Sequence, residues 1–299
     1  MLKAFDLCAG AGGLSRGLQR AGFDVLGLEL DDDAIDTHRR HVGPCEAADL
    51  RTYHPTERRD LTAGGVPCQP FSAAGLGLGL DDPRYLVPDF LRIAREAGSR
   101  AVMLENVRGL VLKPKAFRAV LDAFEAEWLT TWTVVDAADF GVPQHRDRLF
   151  VVGFKDAAAR ARFRWPQPTH APPGSLFGAP YRTVRQALSL GDAPHRSGPK
   201  ENAKPGQLQG MRLLDVDAPA FTVGGHSFDL LDRPAPCDPQ KDGAVRLTVE
   251  QCALLQGFPP GWQWTGNKGS QHRQVGNAVP PALGEAMGRA VRIALEGRA

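Results

Sequence analysis

An α/β fold, with a mixed but mostly parallel sheet carrying helices on both faces, is what this 299-residue sequence predicts, and three observations predict it. Short apolar runs alternate with helix-period segments through the first half, the pattern that builds a largely parallel sheet. The first apolar run ends in a glycine cluster, Gly10, Gly12 and Gly13, where such a fold turns from strand into helix. The alternation stops near Arg164, and eight prolines then fall between Pro166 and Pro205. Few regular elements survive that density, so a smaller, irregular region begins there.

Each element has a local reason. Leu2–Cys8 is a buried strand running into the glycines. Leu14, Leu18 and Ala21 recur at helical spacing until Gly22 stops the helix. Val25–Leu30 reads as the second strand and Asp33–His41 as the second helix. Leu61–Gly65 is a third strand, followed by a long loop. A helix over Asp89–Ala97 leads into a strand over Arg100–Leu104. Pro114 sits where a helix starts, and Ala116–Glu127 continues it. Strands around Thr131–Ala137 and Leu149–Phe154 close this half. Regular pattern returns late, in a helix at Thr248–Gln256 and another at Pro281–Leu295.

Composition excludes several classes. Hydrophobic residues are 42% and charged residues 23%, a soluble globular balance rather than a disordered one. The net charge of +2 supplies no global field toward nucleic acid, so any such binding rests on local clustering. Arg160 to Arg212 holds nine Lys/Arg against Asp192 and Glu201, whereas Asp215 to Asp242 holds six Asp against Arg233 and Lys241. A solvated face would show the same basic block. The five cysteines are widely spaced, with no C-x-x-C pair and no nearby histidine set, which argues against disulfides and structural zinc. Asp6 interrupts the N-terminal apolar run, so no signal peptide is expected, and no stretch approaches a membrane span. A cytoplasmic location without membrane contact is the expectation.

Four segments carry chemistry. In Asp6-Leu7-Cys8-Ala9-Gly10-Ala11-Gly12-Gly13, a glycine turn lets a ligand approach the backbone at a helix N-terminus, although an ordinary tight turn reads alike. Glu29 ends the second strand, where a carboxylate accepts ribose hydroxyls, and Asp49 follows the next connection. In Pro67-Cys68-Gln69-Pro70, prolines stiffen the loop around a cysteine at a strand's carboxyl end, a place for a nucleophile as well as for an inert thiol. Leu104-Glu105-Asn106-Val107 sets a carboxylate at another strand end. Gln144-His145-Arg146-Asp147-Arg148 places two arginines on one face of a strand, for a phosphate, a base carbonyl or plain salt bridges. A nucleoside-cofactor turn, a cysteine, a carboxylate and an arginine pair at one sheet edge suit one reaction. Thiolate addition at cytosine C6 makes C5 an enamine carbon able to attack an electrophilic methyl group. A carboxyl group at N3 and a cation near O2 assist.

These segments resemble the motifs of the DNA (cytosine-5)-methyltransferase family in its unpermuted order. The glycine turn resembles the S-adenosylmethionine motif, Pro67-Cys68-Gln69 the catalytic P-C-Q, and Glu105-Asn106-Val107 the E-N-V. Gln144, Arg146 and Arg148 fit Q-x-R-x-R; Gln256-Gly257-Phe258-Pro259 and Gly276-Asn277-Ala278-Val279-Pro280 resemble the two late motifs. Matches run from about Asp6 to Ala286, with only Arg164–Met211 unmatched. The resemblance implies a Rossmann-like methyltransferase fold with a small target-recognition domain. It divides the chain into a catalytic and cofactor domain over 1–165, a target-recognition domain over 166–270, and a segment over 271–299 that returns to the first.

By that resemblance Cys68 is the nucleophile, Glu105 sits at cytosine N3, Asn106 orients the Pro-Cys loop, and Arg146 and Arg148 hold the base and that loop. S-adenosyl-L-methionine is the cofactor, with Glu29 on its ribose and Asp49 on its adenine. Asp6, Cys8, Ala9, Gly10, Gly12, Gly13, Leu14, Leu30, Leu50, Asn277 and Val279 complete its site, and no metal is implied. Two departures stand out. Cys8 replaces the family's usual aromatic residue, a loss that Phe5 or Leu30 would make good, and Asp82-Pro83-Arg84-Tyr85-Leu86 is one residue short of D-x-R-x-x-L. The implied partner is double-stranded DNA, bound by a monomer that flips the target base, with a cognate restriction endonuclease as companion in function. A tRNA cytosine-5 methyltransferase is the alternative that shares this chemistry. An NAD-dependent oxidoreductase would need a G-x-G-x-x-G turn, and an amino-methyltransferase a D-P-P-Y segment; neither is present.

Overall fold

Residues 1–67, 85–192, 198–199, 212–225, 230–232 and 244–297 are described by the computed structural model. The first half alternates as expected: β1 (Leu2–Leu7), α1 (Gly13–Arg20), β2 (Phe23–Glu29), α2 (Asp32–His41), β3 (Cys45–Ala47), β4 (Leu61–Gly64), α3 (Val87–Glu96), β5 (Ala101–Val107), α4 (Pro114–Glu125), β6 (Leu129–Asp136), β7 (Asp147–Phe154) and α5 (Ala157–Arg162). Among the described residues these strands form one seven-stranded sheet in the order β3-β2-β1-β4-β5-β7-β6. All neighbours pair in parallel except β7, which runs antiparallel to both β5 and β6. The order turns back between β1 and β4, the crevice where an open α/β sheet accepts its ligands.

Strand alternation sends neighbouring residues into two separate apolar layers. Ala4, Val25, Met103 and Val152 face Leu14 and Leu18 of α1, while Phe5, Leu28, Val102 and Val151 face Phe90 of α3 and Phe124 of α4. Helices therefore cover both faces. Two elements lie outside the expected set. The edge strand β3 is too short to show a period. Helix α5 is a single stretch of alanine and arginine capped by Asp156, whose carboxylate accepts from the N–H groups of Ala158 and Ala159. Strand β5 also runs three residues past its expected end, so Glu105 and Asn106 lie within it.

Beyond Arg164 structure is sparse. Strands β8 (His170–Ala171) and β9 (Ala179–Pro180) pair, followed by α6 (Val184–Ala187). β10 (Gly198–Pro199), β11 (Arg212–Leu213), β12 (Leu230–Asp232) and β13 (Ala244–Arg246) make a small second sheet. Three helices follow, α7 (Val249–Leu255), α8 (Lys268–Asn277) and α9 (Pro281–Glu296). Thr248 and Gln256, expected within a helix, are the caps of α7, and Thr248 forms a capping box with Gln251. Val184, Leu214, Val223, Leu255, Phe258 and Val275 belong to a third apolar core separate from the two flanking the large sheet.

The chain then comes back. Leu283, Met287 and Val291 of α9 pack with Leu14, Leu18 and Ala21 of α1. Gly17 allows the approach, because a Cβ there would lie 2.5 Å from the Glu285 nitrogen and 2.6 Å from the Pro281 oxygen. No helix among the described residues is long and apolar enough to cross a membrane.

Candidate active site

The carboxyl ends of β1, β2 and β5 open into a cavity of about 600 Å³, closed on the far side by the end of α8 and the residues up to Val279. The glycine turn forms one wall. Cys8, Gly10 and Gly12 have positive φ angles of 56°, 53° and 88°. Glycine adopts these freely, whereas Cys8 is held there against its steric preference. The Gly10 N–H donates to Glu29 Oε2 at 2.8 Å, and Leu30 and Asp31 donate to Oε1 at 2.7 and 3.0 Å. Three backbone donors thus fix the carboxylate at the end of β2, where it lines the cavity.

Asp6, Cys8, Ala9, Gly10, Leu14 and Leu30 line the same space, as do Asn277 and Val279 from the returning segment. Gly12 and Gly13 do not. Gly12 is the N-cap of α1 and lies against Val42 and His38, while a Cβ on Gly13 would lie 2.2 Å from the Val279 carbonyl oxygen, so Gly13 brings the helix against that segment. An adjoining apolar slot of about 200 Å³ is lined by Cys8, Leu28, Leu30, Leu50, Pro67 and Leu86, together with Asp49. Arg51 grips the Asp49 carboxylate at 2.6 to 3.1 Å and holds it down to about 2. Phe5 cannot replace the aromatic residue absent at position 8. It lines neither space and is buried edge-on to Tyr53 and under the Arg59 guanidinium. Leu30, 64% exposed, lines both spaces instead.

At the other end of the cavity, register creates an ion pair. Glu105 lies opposite Phe150 in the β5–β7 ladder, so Arg148, two residues along, is its diagonal neighbour on the same face. Arg148 Nε stands 2.9 Å from Glu105 Oε1. Burial pushes the Glu105 carboxyl up, while Arg148 and then Arg146 oppose the shift. Asn106 donates to the Val66 carbonyl at 3.4 Å and accepts from the Val107 N–H at 2.9 Å. It thus touches the chain two residues before Cys68. Cys68 itself, with Gln69, Pro70 and Asp82 to Arg84, lies outside the described residues.

Arg146, expected to hold the base and the cysteine loop, binds three backbone carbonyls among the described residues. Its guanidinium, 2% exposed, donates to the carbonyls of Val223 at 2.9 Å, Gly276 at 2.6 Å and Ala278 at 3.1 Å. Two buried amides run beside it. Gln144 accepts from the Val223 N–H and donates to Gln256, which donates to the Val275 carbonyl. The three polar side chains bind the segment ending at Gly225 to the end of α8.

Asp31 and Arg273 are among the lining residues that sequence inspection missed. Asp31 is the N-cap of α2, and its second carboxylate oxygen lies 3.4 Å from Arg273 of α8. The capping signal was visible; the partner 242 residues away was not. Within the region expected to recognise the target, Thr169 binds the Asp139 carbonyl and His170 packs on Gly141, while Asn202, Gln207 and Gln209 lie outside the described residues. An open cleft of about 610 Å³ beside the cavity is lined by Val107, Arg108, Asp136, His145, Phe221 and Thr222.

A family model for C-5 cytosine-specific DNA methylase matches residues 2–292. The chain is 35% identical to Type II methyltransferase M.NgoMIV of Neisseria gonorrhoeae, over 98% of each protein. It is 36% identical to Type II methyltransferase M.NaeI of Lentzea aerocolonigenes, over 99% of this chain and 77% of that one. Among solved structures, the S. pombe Dnmt2 methyltransferase superposes with a TM-score of 0.70 at 15% identity, over 99% of both chains.

Proposed function

The chain belongs to the C-5 cytosine-specific DNA methylase family, and from that membership we propose how its residues divide the work of a DNA cytosine-5 methyltransferase. The family's cofactor, S-adenosylmethionine, fits the residues present. The apolar slot suits adenine, the fixed Glu29 carboxylate suits ribose hydroxyls, and Gly10 has open space where a Cβ would stand. When bound, this cofactor supplies an electrophilic methyl group.

Cys68 adds as thiolate to C6 of the target cytosine, forming an S–C6 bond and shifting the ring electrons toward C5. Glu105 holds a proton at N3 as charge develops there, and its raised affinity for a proton favours that role. Arg148 orients Glu105 and supplies positive charge on the O2 side. C5 then takes the methyl carbon as that carbon's bond to the cofactor sulfur breaks, and departure of the C5 proton to solvent and of Cys68 as thiolate restores the aromatic ring. The observation that carries this assignment is the buried Glu105–Arg148 pair in the same cavity as the glycine turn and Glu29.

The substrate is double-stranded DNA, as for Type II modification methyltransferases, and a tRNA substrate is not favoured. The open cleft beside the cavity suits the duplex, since Val107 lines both and a flipped base would pass between them. The apolar core beyond Arg164 supports a recognition domain over 166–270, with 271–299 returning to the catalytic part. The same proposal includes a cytoplasmic monomer working alongside a cognate restriction endonuclease. Bisulfite sequencing of DNA from a methylation-free host expressing the chain tests it. Protected cytosines at one fixed position of a short sequence are expected, and none with Cys68→Ala; protection by the variant would overturn Cys68 as nucleophile.

A further inference from the structure

Asp6 lines the cavity and is 1% exposed, yet the steps above give it no task. The Ser15 hydroxyl on α1 donates to its Oδ2 at 2.6 Å. That hydroxyl also lies 2.9 Å from Nε2 of His38 on α2, whose Nδ1 stands 3.3 Å from the Gly43 carbonyl. Ser15 and His38 are fully buried. Gly27 of β2 admits the ring, because a Cβ there would lie 2.8 Å from Nε2. Three side chains from β1, α1 and α2 therefore form one line that ends at the cavity wall.

A hydroxyl has one proton to give. When Asp6 is ionised, Ser15 donates to it and the imidazole presents Nε2–H to the hydroxyl oxygen. When Asp6 carries a proton the line reverses: the carboxyl donates to Ser15, and Ser15 donates to a bare Nε2. A neutral imidazole serves both arrangements only by changing tautomer, with Nε2–H in the first and Nδ1–H, which the Gly43 carbonyl accepts, in the second, and burial keeps His38 neutral by pushing it down to about 4. The charged groups facing Asp6 are acidic: Glu29 at the end of β2 and Glu105 of β5, with the thiols of Cys8 and Cys45 also near. Among the described residues no cation pairs with the ionised carboxylate, and the cofactor brings two, a sulfonium and an ammonium.

We propose that Ser15 and His38 are positioning residues for Asp6, holding its carboxyl group in either protonation state, and that binding of the cationic cofactor is coupled to release of one proton from Asp6. The inference rests on the cofactor assignment above. Burial and the two carboxylates bring Asp6 up to about 7, which sets the pH range of the effect.

Calorimetric titration from about pH 6 to about pH 8.5, in buffers of different ionisation enthalpy, tests it with three ligands. S-adenosylmethionine carries both cations, S-adenosylhomocysteine only the ammonium, and methylthioadenosine neither. Affinity for S-adenosylmethionine should fall toward tenfold per pH unit below about 7, with a proton released on binding, while methylthioadenosine stays level. If S-adenosylhomocysteine follows the first ligand, Asp6 answers the ammonium; if it follows the last, the sulfonium. Asp6→Asn should abolish the pH dependence. Ser15→Ala and His38→Leu should move the midpoint to higher pH by removing or misdirecting the hydrogen bond to the carboxylate, and His38→Gln should restore it. A level response of the wild type, or an unmoved midpoint in both Ser15→Ala and His38→Leu, overturns the proposal. Failure of all three ligands to bind would instead remove the cofactor assignment.

Discussion

Glu105 owes its properties to two opposing surroundings. Burial in β5 favours its protonated form, and the Arg148 guanidinium 2.9 Å away favours the carboxylate. Glu105→Gln keeps the shape but cannot exchange a proton with N3, so methyl transfer should slow by about 10²–10⁴ while DNA affinity changes little. Single-turnover rates beside filter-binding affinities check this, and a larger loss in binding than in rate would make the residue structural. Two other buried groups tie stability to pH with opposite signs. Asp6 rises from 3.8 to about 7, so its contribution is full below its unfolded value and is lost as pH climbs to 7. His38 falls from 6.5 to about 4, so its contribution is full above 6.5 and is lost as pH drops toward 4. Asp6→Asn should therefore stabilise the fold by up to roughly 4 kcal/mol at pH 8, with the gain shrinking toward pH 5. Urea midpoints at the two pH values decide it.

Among elements, α1 and α9 show how the last helix belongs to the first half. Gly17 lies against the backbone of α9, and Gly288 against Ala21 and Leu18. Gly17→Val would force the helices apart and should cost about 1–3 kcal/mol, read as a lower urea midpoint with an unchanged slope. An unaltered midpoint would mean that α9 packs elsewhere in solution. The long strands and amphipathic helices were legible because their periods are strong: Phe5 and Ala4 on opposite faces of β1, Leu14 and Leu18 on one face of α1. Helix α8 was not, because Lys-Gly-Ser-Gln-His-Arg-Gln-Val-Gly-Asn carries almost no apolar stripe. Tertiary contacts decide it: Gly276 lies against the backbone of Gly224 and Gly225, and Arg146 holds the Gly276 carbonyl.

At the scale of the molecule, the basic block from Arg160 to Arg212 is less available to DNA than its charge suggests. Arg162 donates to the Ala294 carbonyl of α9, Arg164 to the Ala161 and Phe163 carbonyls, and Arg185 to Asp217. Arg182, by contrast, is exposed and open to a phosphate. DNA affinity should fall steeply with salt, and Arg182→Ala should reduce the slope of log affinity against log salt by roughly one. Arg162→Ala should leave the slope intact and lower the melting temperature instead. Equal slopes for wild type and Arg182→Ala would place the phosphate contacts elsewhere. The amide and guanidinium links from Gln144, Arg146 and Gln256 tie the approach to β7, the Val223 segment and the end of α8 to one another.

By itself the sequence determined the α/β class, the order of the main strands and helices, and the set of chemical groups. Those depend on local signals: the period of apolar residues, the glycines of a strand-to-helix turn, and short runs such as Pro67-Cys68-Gln69 and Glu105-Asn106-Val107. Tertiary structure alone decided who meets whom. Arg148 reaches Glu105 through a ladder register, Arg146 turns to carbonyls 77 to 132 residues away, and Asp6 finds Ser15 and His38 through three packed elements. Register and packing follow from many weak contacts summed over the whole chain, and no short stretch of sequence holds that sum.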